Sequence, residues 1–440
     1  MNVGIYFGNQ SPELGGGHTF EHEILRSLLK VAPESTHAFV LYSEDKEPAP
    51  EMASAKNIKF ISLVPDRDDN VSRNSFSKIK KVRSSVDRTS FAVLKKILHP
   101  KSKFRIEANY TKSCFDSRRL DGIDIMWYVT PTYHLTMDIP YITTVWDLQY
   151  RQQPYFPEVS ISGQWENREK IYTSLLRRAA FVIVGTETGK LEVEKLYQVP
   201  SERVRVLPLP TPDFVLHASD TDRDIRNKHG IPDNYLFYPA QFWPHKNHVN
   251  LLLAVRYLRD RHNLIFPVVF AGSDRGNQTY IRQVVSKFDL SKQVYFLGFL
   301  PQEDLIPLYR SAFALTFVTF FGPDNLPPLE AFASGCPVIA SEVPGAREQL
   351  GDAALFVDPK DKTQIADAIK SLHDNVSLRT TLKERGFQRA SKWVGSDYMR
   401  RIFSILDEFE PIRRCWSNTS SYADIPQISS LNVAGEAAKE

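Results

Sequence analysis

Apolar residues fall into two rhythms along this chain. Short, nearly continuous runs at 3–7, 38–42, 58–63, 123–129, 141–145, 181–184 and 204–207 predict strands in the first half. Between them lie longer segments with helical spacing, the first from about Thr19 to Lys30 and another near 165–180. Thr186 stands where a hydroxyl can cap a helix over 187–197. The second half repeats the theme. Strands are predicted at 235–240, 267–271, 294–297, 314–318, 338–340 and 355–357. Helices are predicted at 248–261, 278–288, 302–311, 327–334 and 362–373, followed by a late helical stretch over 377–406 that contains Trp393. Strands separated by helices at this spacing predict α/β domains with parallel sheets.

The alternation is interrupted at Pro208-Leu209-Pro210-Thr211-Pro212, a stiff seam. It divides the chain into a first α/β domain over 1–210 and a second over 211–395. Residues 396–410 would end the last helix, packing back on the first domain, and the polar, small-residue tail at 411–440 would be disordered. Two such domains enclose a cleft, and open α/β sheets bind ligands at the carboxyl ends of their strands.

Composition narrows the picture. At 440 residues the chain is long enough for two or three cores, and its net charge of +3 does not by itself argue for nucleic acid. Cys114, Cys336 and Cys415 are scattered, with neither metal-ligand nor disulfide spacing, which fits a reducing compartment. The first residues read as a strand and not a leader, and no apolar run approaches the roughly 18 residues of a membrane span. The expectation is a cytoplasmic protein, soluble or peripheral at the inner face of the membrane. One block suits the peripheral case. Lys78, Lys80, Lys81, Arg83, Arg88, Lys95, Lys96, Lys101, Lys103 and Arg105 surround a short apolar face of Phe91, Val93, Leu94, Ile97 and Leu98. Such a segment can lie on an anionic membrane, or simply be a solvated surface.

The segment 322–340 carries the most chemistry. Gly322-Pro323-Asp324-Asn325 is a tight loop that feeds a helix carrying Glu330, and Gly335 and Pro337 end that helix before a buried strand. A helix N-terminus offers unpaired N–H groups and a positive dipole end, which suits phosphate. Asn325 and Leu326 stand at that terminus. Glu330 sits inside the apolar run 326–333, where a charge is costly unless it is bound; it can accept hydrogen bonds from sugar hydroxyls. Phosphate plus sugar means a nucleotide. Lys246, in Gln241-Phe242-Trp243-Pro244-His245-Lys246, follows a strand and suits a diphosphate as a point charge. Gly15-Gly16-Gly17, after the first strand, lets backbone approach phosphate closely. Asp147, after Trp146 at another strand end, is a candidate contact to sugar hydroxyls, as is Asp324. Asp274 and the Glu342–Gly345 loop also follow strands.

These residues resemble the retaining nucleotide-sugar glycosyltransferases of family 4. The likeness runs through 238–247, 304–309 and Leu326-Pro327-Pro328-Leu329-Glu330-Ala331-Phe332-Ala333 to Pro359, and more thinly through Thr143-Thr144-Val145-Trp146-Asp147. It implies the GT-B fold, two Rossmann-like domains facing across a cleft. It implies a nucleoside-diphosphate sugar as donor, a glycan or lipid-linked glycan as acceptor, and no metal or other cofactor. Glu330 would hold the donor ribose. Lys246, Gln241, His245, Gly16, Gly17, Asn325 and Leu326 would hold the rest of the donor, and Lys246, Asp147 and Asp324 would serve the transfer itself. A mannose-type sugar and surface polysaccharides such as O-antigen are the implied substrates. The chain departs from the pattern at three places. Gly322 stands where the first Glu of a Glu-x7-Glu pair is usual, Gln241 where an Arg is usual, and Trp146 where a His is usual. A nucleotide-sugar epimerase of the same fold, or a non-catalytic nucleotide- or glycan-binding module, are the alternatives.

Overall fold

The computed structural model of the chain describes residues 1–8, 11–43, 57–63, 120, 122–131, 139–218 and 225–416. The basic block at 78–105, Cys114 and the tail from 417 onward lie outside them.

The first sheet holds β1 (Asn2–Tyr6), β2 (Ala38–Ser43), β3 (Ile58–Ser62), β4 (Ile125–Tyr128), β5 (Tyr141–Val145), β6 (Phe181–Val184) and β7 (Val204–Val206), in the order β3-β2-β1-β4-β5-β6-β7. The second holds β8 (Leu236–Pro239), β9 (Val268–Ala271), β10 (Val294–Gly298), β11 (Ala314–Phe317), β12 (Val338–Ser341) and β13 (Ala354–Val357), in the order β10-β9-β8-β11-β12-β13. Every pairing in both sheets is parallel. In each, the chain winds outward from its first strand and then returns to that strand's other side. The crevice where strand order reverses, between β1 and β4 and between β8 and β11, is the binding position of such sheets.

Strand alternation distributes the first core between two faces. Val3, Ile5, Ile125 and Trp127 pack on one face, Tyr6, Met126 and Tyr128 on the other. The first of these faces is closed by the last helix. Gly395–Arg413 packs Tyr398, Met399, Ile402, Phe403, Ile405, Leu406 and Phe409 against it, with Phe403 stacked on Phe39 at 5.4 Å between ring centroids. The helix runs to Arg413, beyond the expected end at 410.

The single late helix expected over 377–406 is two, Val376–Ala390 and Gly395–Arg413. The break carries Trp393, whose indole Nε1 donates to Pro208 O at 2.8 Å while its own carbonyl accepts from Thr211 N at 3.1 Å. The chain leaves the second domain here and must cross to the first, so its backbone bonds go to the proline seam instead of to a helix. A second correction concerns the glycines after β1. Helix Gly16–Val31 begins at Gly16, not near Thr19, with Gly15 as its N-cap at φ 72°. Gly16 and Gly17 are therefore helical residues whose N–H groups lie in the first turn.

Candidate active site

Most residues singled out from the sequence for the site line one cleft between the domains, a cavity of about 370 Å³: Gly16, Gly17, Asp147, Gln241, His245, Lys246, Asp324, Asn325, Leu326 and Glu330, but not Asp274, Glu342 or Gly345. They arrive on the loops after β1, β5, β8 and β11, all at carboxyl ends of strands. The sequence did not point to Phe299, Leu300 and Leu305, which add an apolar wall after β10. Phe299 is a large aromatic left 47% exposed. Gly272, after β9, has φ 145°, and a Cβ there would lie 2.4 Å from Ala240 O, so a side chain would close the cleft floor.

Glu330 is 5% exposed, and its Oε2 accepts from the Tyr309 hydroxyl at 2.7 Å. Burial raises its carboxyl to about 7, against the opposing Tyr309 hydrogen bond. The helix that carries it, Leu326–Ala333, has prolines in its first turn, where their missing N–H groups leave no bond unmade. Asn325 is its N-cap residue, but the Asn325 N–H already donates to Gln349 Oε1 at 3.0 Å. That N–H is taken in this conformation.

Lys246 ends a short turn, Pro244–Lys246. Asn247, at φ 57°, fixes that turn by donating to Val318 O and Pro359 O, both at 2.7 Å. The half-buried Lys246 ammonium lies 5.2 Å from the Phe317 ring centroid and has no hydrogen bond or ion pair among the described residues. Burial pushes it down to about 8, while Asp147 and Glu158 act the other way.

Gln241, His245 and Asp324 are engaged in holding the domains together. Gln241 Nε2 donates to Glu13 O across the cleft at 2.7 Å, and its Oε1 accepts from Trp243 Nε1 at 2.7 Å. Arg275 Nη2 reaches the same Glu13 carbonyl at 3.1 Å. His245 Nδ1 lies 2.6 Å from Glu158 Oε1 of the first domain, and its N–H donates to the same oxygen at 3.1 Å. Burial lowers the His245 ring, with Glu158 opposing; burial alone would raise Glu158, but its hydrogen bonds and the His245 charge together outweigh burial and hold that carboxyl low. Asp324 Oδ2 accepts from Leu209 N in the seam at 2.7 Å, and its Oδ1 is shut off from solvent without a partner among the described residues. Burial raises Asp324 to about 7. It fits only because residue 185 is glycine: a Cβ there would sit 2.4 Å from Asp324 Oδ2. Asp147 Oδ1 accepts from Gln149 N at 3.0 Å, capping the turn after β5. Asp274 likewise caps Gly276 and Gln278, and Glu342 pairs with Arg347.

Residues 221–389, which include Lys246, Asp324 and Glu330, match the family described as "Glycosyl transferases group 1". Over that span the chain is similar to the group 1 glycosyltransferases. Similar relatives include the "O-antigen chain mannosyltransferase B" of Escherichia coli, 27% identical over 240 residues, which cover 54% of this chain and 63% of that protein. The "O-antigen chain mannosyltransferase RfbU" of Salmonella typhimurium is 29% identical over 223 residues, 50% of this chain and 57% of that protein. The matched stretch thus spans less than two thirds of either relative. Solved structures agree on architecture over nearly the whole chain. WaaG, a glycosyltransferase involved in lipopolysaccharide biosynthesis, aligns with TM-score 0.59 at 16% identity, covering 92% of this chain and 99% of WaaG. Sucrose-phosphate synthase from Thermosynechococcus elongatus gives 0.65 at 16%, covering 93% and 99%. Anabaena HepE, solved with UDP-glucose, gives 0.59 at 15%, covering 93% and 100%. The fold is GT-B, as the resemblance implied. Among the described residues no helix is long and apolar enough to cross a membrane.

Proposed function

We propose that this protein transfers a mannose-type sugar from a nucleoside-diphosphate sugar to a hydroxyl of a glycan or lipid-linked glycan, with retention of configuration. The observation that carries this reading is the Lys246 ammonium, set in the cleft without a hydrogen bond or ion pair among the described residues and lining the same cavity as the buried Glu330 carboxyl. A cation held ready in a concave site calls for an anion. A carboxyl beside it, bonded on one oxygen by Tyr309, leaves acceptor capacity for ribose hydroxyls. In the transfer, the bond between the anomeric carbon and the diphosphate breaks and negative charge grows on the phosphate. Lys246 and the first-turn N–H groups of Gly16 and Gly17 stabilise that charge. Asp147 and Asp324 border the reacting end. The departing phosphate takes the acceptor's proton, so no carboxylate pair is required of the protein. The names of the relatives support the sugar and the glycan acceptor. The basic block at 78–105 would bring a lipid-linked acceptor's membrane within reach.

The test is release of nucleoside diphosphate from a panel of nucleotide sugars, with and without glycan or lipid-linked acceptors. Release should depend on acceptor. Lys246→Ala and Glu330→Ala should each lower kcat/KM by about a hundredfold, the scale of losing one charge-stabilising contact. Wild-type rates in both variants would sink the assignment. Donor conversion without acceptor would point to an epimerase, and binding without turnover to a non-catalytic module.

A further inference from the structure

Tyr309, on the helix Gln302–Ser311, is fully buried and does not itself line the cleft. Its hydroxyl donates to Glu330 Oε2 at 2.7 Å. The other oxygen, Oε1, has no partner among the described residues and is not shut off from solvent. Glu330 therefore meets the cavity with one oxygen bonded and one open. The frame that delivers the hydroxyl is held at both ends. Phe237 of β8 meets the Tyr309 ring edge-on, with centroids 5.0 Å apart. Just before β8, the Tyr235 hydroxyl donates to the neighbouring Leu308 O at 2.6 Å. At the start of the helix, buried Asp304 accepts from Lys228 Nζ at 2.6 Å and lies 3.1 Å from His229 Nε2.

The pair is costly if it serves packing alone. Glu330 has no ion pair among the described residues. A buried carboxylate without a cation is penalised, and apolar side chains would fill the same space at lower cost. What the pair achieves is chemical. A hydroxyl that donates to a carboxylate favours its charged form without cancelling the charge, as a lysine or arginine would. Burial, with the Glu330 charge beside it, holds the Tyr309 proton far above its ordinary range, so the hydroxyl stays a donor. Burial pushes Glu330 up to about 7, and the Tyr309 bond is what opposes it. The Cys336 thiol also acts on Tyr309; burial raises it to about 12, against a Leu315 backbone bond and Lys383, so it carries no charge. Lys246 and Asp324 line the same cavity, but Lys246 answers to Asp147 and Glu158, and Asp324 to Glu348. We infer that Tyr309 is a positioning residue: its hydroxyl fixes one oxygen of Glu330, keeps the group ionised against burial, and leaves the other oxygen to accept from a ribose hydroxyl. This rests on the nucleotide-sugar reading of the cleft and names what makes its buried carboxyl usable.

Tyr309→Phe keeps the ring and removes the hydroxyl. Calorimetry of the full chain with UDP and with GDP, across about pH 6 to 9, reads the consequence. Losing the donor raises the Glu330 carboxyl further. The acid limb of nucleotide affinity should therefore move up by about one pH unit, which is about tenfold weaker binding on that limb, the scale of one hydrogen bond to a charged group. At the alkaline end, where Glu330 is ionised either way, affinity should stay within about twofold of wild type. In the Glu330→Gln background, where this carboxyl no longer titrates, the same change should move no limb. An unmoved acid limb in Tyr309→Phe would overturn the proposal. So would an equal loss of affinity at every pH, or the same shift in the Glu330→Gln background, since the hydroxyl would then serve packing or another group. Failure of the wild-type chain to bind either nucleotide would instead overturn the nucleotide-sugar reading on which the positioning role rests.

Discussion

Two groups in the cleft have been moved toward each other along the pH scale. Burial lowers Lys246 to about 8 and raises Glu330 to about 7. In the proposed reading the ammonium holds a diphosphate and a ribose hydroxyl donates to the carboxylate. The sign follows: affinity for a nucleoside diphosphate should fall below pH 7 as Glu330 gains its proton, and above pH 8 as Lys246 loses its own. Calorimetry across that range should give a narrow maximum between the two values. Glu330→Gln should flatten the acid limb and leave the alkaline limb in place. Asp324, also raised to about 7, bonds Leu209 in the seam; an acid limb that survives Glu330→Gln and disappears in Asp324→Asn would assign it there. At this scale the sequence was informative wherever a residue contradicted its surroundings. Glu330 stands out within an apolar run, and Lys246 stands at a strand end. The engagement of Gln241 with Glu13, and of His245 with Glu158, was not legible, because each partner is remote in the chain.

Secondary-structure elements were largely legible, since hydrophobic period is a local property. β5 and β6 begin and end where the apolar runs do, and Thr186 caps its helix by accepting from Gly189 N at 3.0 Å. Thr186→Ala should destabilise the first domain by about 1 kcal/mol. The late helix was misread because its two halves share one period while belonging to different domains. Trp393 looks like another apolar helical position until Pro208 and Thr211 are placed beside it. The helix beyond it is structural. Phe403→Ala removes a ring stacked on Phe39 in the first core and should cost about 3–5 kcal/mol in urea denaturation. A loss under 1 kcal/mol would mean that the Gly395–Arg413 helix is not an integral layer of that domain.

The two domains meet through bonds that each side supplies in part. Glu348 of the second domain accepts from Glu187 N at 2.6 Å and Thr188 N at 3.1 Å, placing a carboxylate on the N-terminus of the Glu187–Tyr197 helix of the first. Glu158 reaches His245 in the opposite direction, and Asp324 grips the seam. Glu158→Ala combined with Glu348→Ala should widen the cleft, seen as a larger radius of gyration in small-angle scattering, and should raise donor KM severalfold. An unchanged scattering profile would show that these bonds do not set the closure.

The chain's local sequence determined two parallel α/β units, the proline seam between them, and a loop feeding the helix that carries Glu330, because those depend on neighbours within a few turns. Tertiary structure alone decided that the loops after β1, β5, β8 and β11 converge on one cleft. It named the residues by which the last helix, expected from the sequence to pack back on the first domain, completes that domain's core. It alone separated Lys246, left open to a ligand, from Gln241, His245 and Asp324, which are bound into the domain junction. Side-chain chemistry is written in the sequence, but whether a charge faces a partner or a vacant site depends on residues brought together only by folding.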